Sequence, residues 1–553
     1  MKLRISSCRT AFVKDLTRFA PAWILYLIGM VLILFPVIID QPTVDAAVSL
    51  SESIRFFGIG NILYAALCAQ LLFGDLFQSR LCNALHAMPL KRGDWFFCHT
   101  VAGLCFSLVP NAVCVLWTMP LLGEFWFVPL FWMAALTLQF VFFFGLAVLS
   151  MLCTGNRFAM VAVYGLLNFL SLLVLWIVKT VFEPLIYGLY IPSEPFILLS
   201  PVVQLLQLQT YLEFGWIGGA GVFTGLGDGW LYLLIVAGAG IVLGALAMLL
   251  YRRRALESAG DFVAVRSLAP VFSVVYTLAV AMLIAEFGHA FTNEYLGFFV
   301  VGFLVGYFTG QMLLRRTVKV FTGRVLIGGA VFAAVLFACV GITQWDPAGV
   351  ARWTPEPEQV ESVSIADGYY EGYRKNWLKL EDPEDVEAAI ALHQTAIQAQ
   401  GQPANGENTG LTLHYTLKNG RQVIRTYWYG VPANEVRTFF SRPEYVLGYT
   451  GEFEAFRDQV SFVKMDHGAL SGEFAKELLD AIAADCAAGN MAQNWKFHTT
   501  EDTVTWIYFE TSDGLYREIS VYPCAENTMA WLKENYDLWA DENRKYDDYF
   551  TGK

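Results

Sequence analysis

Nine apolar stretches of roughly 20 residues punctuate the first 344 positions, each long enough to cross a ~30 Å hydrocarbon core. They fall near 20–39, 56–73, 96–121, 130–153, 158–182, 230–251, 269–287, 295–314 and 325–344. Ahead of the first, Leu3, Ile5, Cys8, Phe12, Leu16 and Phe19 make one apolar stripe with Arg4, Arg9, Lys14 and Arg18 largely off it, which predicts an interfacial helix over residues 1–19. Between the second and third stretches, residues 75–97 read DLFQSRLCNALHAMPLKRGDWFF. Leu76, Leu81, Leu85 and Met88 recur at helical spacing there, and Pro89 stops the helix before Lys91 and Arg92. The segment SPVVQLLQLQTYLEF, from residue 200, is apolar enough to lie on a membrane surface, to re-enter it, or to pack on the bundle.

Past Trp345 the pattern changes to alternation. TPEPEQVE forms an acidic linker within residues 345–360, and a folded domain is expected over residues 361–553. Strands over 411–417 and 422–429 flank Lys418, Asn419, Gly420 and Arg421, and strands over 503–510 and 516–522 flank Ser512, Asp513 and Gly514, so each pair predicts a hairpin. Amphipathic helices precede the hairpins (385–400 and 473–488), and short helices follow them (434–440 and 527–531). Aligning Gly420 with Gly514 superimposes Tyr415 on Phe509, which suggests a duplicated helix, hairpin, helix unit. The fold class predicted is a polytopic α-helical membrane protein of about nine transmembrane helices, residues 20–344, carrying a C-terminal α+β domain.

Composition agrees, with 56% hydrophobic and 16% charged residues, where soluble chains carry ~25% charged. The net charge of −12 is divided unevenly: residues 1–344 hold 19 Lys/Arg against 15 Asp/Glu, and the remainder 18 against 34. An acidic tail argues against a nucleic-acid partner, since phosphate binding needs a basic face. With a cytoplasmic amino terminus, 17 of the 19 cations of the membrane part fall on the inner side, and only Arg55 and Lys179 fall outside. Nine crossings then make the tail extracytoplasmic, and the first span, which has no small-residue cleavage site, is expected to act as a retained signal-anchor in the cell membrane. Cys486 and Cys524 both lie in the tail and could form a disulfide on the oxidising side, although spacing alone cannot show that their Cβ atoms approach.

The motifs of self-sufficient chemistry are missing. No GxxxxGK[ST] cradle, HExxH, CxxC or GxSxG occurs, so neither a catalytic group nor a metal site is expected. Polar residues in the spans, Asn61, His99, Asn111, Gln139 and Asn168, are mostly uncharged, which disfavours a proton relay. Glycines at 240 and 244, and at 302, 306 and 310, have the spacing of close helix contacts.

The run Arg80, Leu85, Met88, Pro89, Lys91, Arg92, Phe96, Phe97 resembles the first intracellular loop of bacterial ABC-type-2 transporter permeases. YRRRALESAGDFVAVRSLAP, at 251–270, looks like a cytoplasmic segment of large permeases of that superfamily, and HYTLKNGRQVIRTY, at 414–427, is similar to an extracellular domain carried behind them. The resemblance implies an ABC exporter's membrane subunit, not itself an enzyme, that binds no cofactor. A separate ABC ATPase subunit would hold ATP and magnesium, and a second permease subunit would complete the pore. It implies a coupling helix within residues 78–88, with Arg80, Leu85, Met88, Pro89, Lys91 and Arg92 at the ATPase interface. Arg252, Arg253, Arg254, Glu257 and Asp261 are a second candidate contact. The competing expectation is a membrane-anchored sensor or binding protein acting through its outer domain.

Overall fold

The computed structural model describes residues 2–39, 41–86, 91–206, 211–217, 220–254, 262–292, 294–367, 379–400, 408–432, 457–465, 468–488, 490, 505–511, 516–521, 523 and 525–535. The amphipathic start folds as α1 (Lys2–Arg18) and is followed by the apolar α2 (Ala20–Ile38). α3 (Thr43–Phe73) begins well before the apolar window at residue 56. Its 31 residues extend about 46 Å at 1.5 Å each, beyond a ~30 Å hydrocarbon core, so Asp45, Glu52 and Arg55 form polar turns at its start. A 3₁₀ turn, Gly74–Phe77, then leads into α4 (Ser79–His86). Leu76 and Cys82 are buried there while Leu81 is 42% exposed. At this turn Cys82, and not Leu81, packs inward.

α5 (Arg92–Thr118) and α6 (Val128–Cys153) are continuous, but the fifth apolar stretch is broken into α7 (Arg157–Asn168) and α8 (Leu170–Ile177). The Asn156 side chain accepts from the Ala159 amide at 2.8 Å and starts α7; the bend between α7 and the helical turns that follow is 59°. Next come α9 (Glu194–Leu198), α10 (Pro201–Leu206) and an antiparallel hairpin of β1 (Leu212–Ile217) and β2 (Ala220–Leu226). α10 buries Val202 and Leu205 in the core beside α3, so this segment packs on the bundle. α11 (Gly229–Arg253), α12 (Ala269–Thr292), α13 (Leu296–Arg315) and α14 (Gly323–Trp345) follow. Among the described residues eight helices are long and apolar enough to cross a membrane, or nine when the bent pair counts as one span.

α6 is the axis of the bundle: 78% of its apolar window is buried, against 6% for α14. Trp132 and Phe140 of α6 meet Phe57 and Tyr64 of α3, with ring centroids at 5.5 and 5.8 Å. Several polar side chains of the interior are paired within the bundle. Asn61 donates to the Leu136 carbonyl and to Gln139 Oε1, each at 3.2 Å, and accepts from the Tyr26 hydroxyl at 3.3 Å. Backbones approach most closely where glycines allow it. A Cβ on Gly145 would lie 2.3 Å from the Gly240 carbonyl oxygen, and a Cβ on Gly306 would lie 2.9 Å from that of Thr277. The 302, 306, 310 series thus packs internally against α12, whereas Gly244 meets nothing within 4 Å among the described residues.

Residues 178–193 and 336–553 form a compact unit of their own. β3 (Val360–Asp367), α15 (Pro383–Gln398), β4 (Asn408–Leu417) and β5 (Gln422–Pro432) give one sheet of order β3-β4-β5. β6 (Val460–Met465), β7 (Gly468–Ser471), α16 (Gly472–Ala487), β8 (Thr505–Thr511) and β9 (Tyr516–Val521) give a second, of order β7-β6-β8-β9, and α17 (Glu526–Glu534) closes it. Val363 pairs with Tyr415 in the first sheet and Val463 with Phe509 in the second, so the two aromatics hold the same place in their ladders. A strand before each helix, β3 or β6, is an element that the alternation at 411–429 and 503–522 did not announce. Residues expected to be linker also fold: Asp346 accepts from the Val350 and Ala351 amides at 2.8 Å each. The short helix expected at 434–440 lies outside the described residues.

Candidate functional site

The end of the bundle where α3 and α11 finish gathers the two loop regions that the sequence singled out. Helix carboxyl ends carry unsatisfied carbonyls and partial negative charge, and two arginines answer them. Arg92, at the start of α5, donates Nη1 to the carbonyls of Tyr251, Arg252 and Arg254, at 3.4, 3.4 and 2.9 Å, which caps α11. Arg254 in turn donates Nη1 to the carbonyls of Met151 and Leu152, at 2.9 and 3.4 Å, which caps α6. Cys82 of α4 lies in the field of both arginines, but burial dominates and pushes its thiol up.

α1 is fastened to the same end. Asp15 Oδ2 lies 2.7 Å from His99 Nδ1, both buried, and Trp95 stacks on the imidazole with centroids 5.4 Å apart. Arg18 reaches Asp75 at 3.8 Å, an exposed contact that contributes little by itself.

The expected interface residues therefore divide. Arg80 on α4, Lys91 ahead of α5, and Arg252 and Arg253 at the end of α11 are exposed, and Arg157 at the start of α7 adds a further exposed cation. Arg92 and Arg254 are half-buried and committed to helix carbonyls, which makes them supports of this face. Leu85 falls inside α4, but its side chain lies outside the described set, as do Met88, Pro89, Glu257 and Asp261 altogether. Cys486 is buried among Leu478, Leu479 and Ile482 in the core of the second sheet, while Cys524 is outside the described residues. No group of three or more His, Cys, Asp or Glu is arranged to hold a metal ion among the described residues.

Sequence reasoning missed the Asp15–His99 fastening. A signal was present: Asp15 is the only acid among the first nineteen residues, and His99 follows Trp95 by one helical turn. It also missed the capping geometry, because nothing local distinguishes an arginine aimed at another helix from one aimed at solvent.

Compared with protein-family models, with curated proteins and with solved structures, the chain matches none. The long apolar helices around a buried axis define a multi-pass membrane protein.

Proposed function

We propose that this chain is the membrane subunit of an ATP-driven exporter of the ABC type, worked by a separate ATPase pressing on the basic end of the bundle. The observation that carries this reading is the convergence of α4, the start of α5 and the end of α11 into one cationic face, keyed together by Arg92 and Arg254. A face so connected would pass a push on Lys91, Arg252 or Arg253 into α5, α6 and α11, which is what a coupling surface has to do. Exposed Arg80, Lys91, Arg157, Arg252 and Arg253 suit an acidic patch on a partner.

In this reading the face is cytoplasmic, the protein sits in the cell membrane, and two such subunits enclose the path. Nine crossings are supported by contacts at both ends of the broken fifth helix. α7 starts beside Gly74 at the end of α3, where a Cβ would lie 3.9 Å from the Arg157 guanidinium. The residues after α8 return at the opposite end, where Tyr211 to Thr224 line a cavity with Asp45 to Arg55 at the start of α3. Residues 178–193 share a unit with the tail, which agrees with an even number of crossings between them, such as the four that α11 to α14 would make. The tail is then extracytoplasmic.

The test is co-purification of the full chain with an ABC ATPase from an adjacent reading frame, before and after charge reversal at Lys91, Arg252 and Arg253. Loss of the complex, with folding intact, is expected. Full retention of binding and of ATPase stimulation in the triple variant would overturn the assignment.

A further inference from the structure

The turn from α13 to α14 reads RRTVKVFTGR over residues 315–324. Arg315, Arg316, Lys319 and Arg324 are all exposed, and the chain holds no acid from residue 295 to residue 345. Two apolar side chains stand among these cations, Val318 at 74% and Phe321 at 68% exposed. Phe321 folds back on the bundle, with its ring centroid 4.8 Å from that of Phe308 in α13, and the neighbouring Val320 is buried. A turn built in this way belongs where hydrocarbon meets headgroups. Beside it lies a groove of about 380 Å³, lined by Tyr276 of α12 and by Thr309, Met312 and Leu313 on one face of α13, with Arg316 and Val318 at its end. The tyrosine ring comes close because residue 310 is glycine; a Cβ there would lie 3.1 Å from Tyr276 Cδ1. Thr309 and Arg316 are seven positions apart, about 10 Å at 1.5 Å each, so the groove runs from the helix end into hydrocarbon depth. Arg316 itself takes φ +54° and ψ 34°, a left-handed helix cap in which glycine is the usual residue. An arginine is held there against that steric preference, at the mouth of an apolar groove.

We infer that this groove holds an acyl chain of an anionic phospholipid, with the lipid phosphate against Arg316 and Lys319 and with Arg315 and Arg324 adding to the attraction. The occupant needs an apolar tail to fill the wall and a net negative charge to answer four cations. A soluble phosphate lacks the tail, and an acidic protein surface cannot follow the groove below the headgroups. Attraction of an anionic lipid grows about fivefold with each nearby Lys or Arg, a gain that a zwitterionic lipid forgoes. The inference rests on the membrane-spanning helices alone and stands whether or not an ATPase drives the chain.

The test is native mass spectrometry of the full-length protein in detergent micelles, titrated with dioleoyl phosphatidylglycerol or with phosphatidylcholine of the same tails. The first phosphatidylglycerol should bind at least tenfold more tightly than the first phosphatidylcholine. Arg316→Gln with Lys319→Gln should weaken it at least tenfold. Thr309→Trp, which fills the groove and leaves every charge in place, should weaken it severalfold. Thr317→Lys, at the mouth, should tighten it severalfold, an outcome that misfolding cannot imitate. Equal binding of the two lipids, an unchanged affinity in the double variant or in Thr309→Trp, or no gain in Thr317→Lys overturns the inference. So does displacement of the lipid by glycerol 3-phosphate, which would make this a site for a soluble anion, or its release as a second copy of the chain covers the groove on dimerisation.

Discussion

Lowering the pH should loosen the first sheet of the C-terminal unit through His393. This side chain on α15 is fully buried, with Nε2 at 2.7 Å from the Tyr427 hydroxyl and Nδ1 at 3.0 Å from that of Tyr415. Burial, with the charge of Arg425 nearby, brings its pKa down from the ordinary 6.5 to about 3. A neutral ring serves both tyrosines, because one nitrogen donates and the other accepts. Between those two values the unfolded chain binds a proton that the folded unit refuses, so stability is complete above about pH 6.5 and falls as the pH drops towards 3. At pH 5 the loss relative to pH 7 is about 2 kcal/mol, or about 25-fold in the opening equilibrium. His414, on β4, is also held down by burial and adds to the loss in the same direction. Amide exchange of β4 and β5 peptides in the full chain, corrected for intrinsic rates, reads this opening directly. His393→Gln should flatten most of the dependence while lowering protection at pH 7. Protection that stays constant or rises between pH 7 and pH 5 would refute the reasoning.

Two further perturbations test the bundle. Gly145→Val must force α6 from α11, because even a Cβ would sit 2.3 Å from the Gly240 carbonyl oxygen, and overpacking of this kind costs about 1–3 kcal/mol. Its thermal midpoint in detergent should fall clearly, while Gly244→Val, which meets nothing within 4 Å, should leave the midpoint unchanged; equal shifts in both would sink the packing argument. Asp15→Ala removes one partner of a buried hydrogen bond, which costs about 1–3 kcal/mol, and should release α1 from α5. Trypsin would then cut at Arg9, Lys14 and Arg18 several times faster, and an unchanged cleavage rate speaks against the fastening.

Much of the membrane part is legible in the residues themselves. Long apolar windows mark where helices must run, since a buried backbone in lipid has to satisfy its own hydrogen bonds. The alternation at 411–417 and 422–429 likewise marks a hairpin, and β4 and β5 form it, with Gly420 at φ +79° in the turn. α4 was legible as a helix from the spacing of its leucines, but which of Leu81 and Cys82 packs inward was not, because both are apolar enough to face the core.

The sequence by itself determined which segments leave water, how long they are and where their cations lie, because transfer free energy is additive along the chain and independent of neighbours. Only the tertiary structure decided what those cations do. Arg92 and Arg254 read as equivalent to Lys91 and Arg252, yet they end on the carbonyls of α11 and α6. That distinction is set by where other helices stop in space, which no local pattern encodes. The same holds for the cavity at the start of α3, where Glu213 joins Asp45, Glu52 and Arg55 only because the β1–β2 hairpin folds back over that end of the helix.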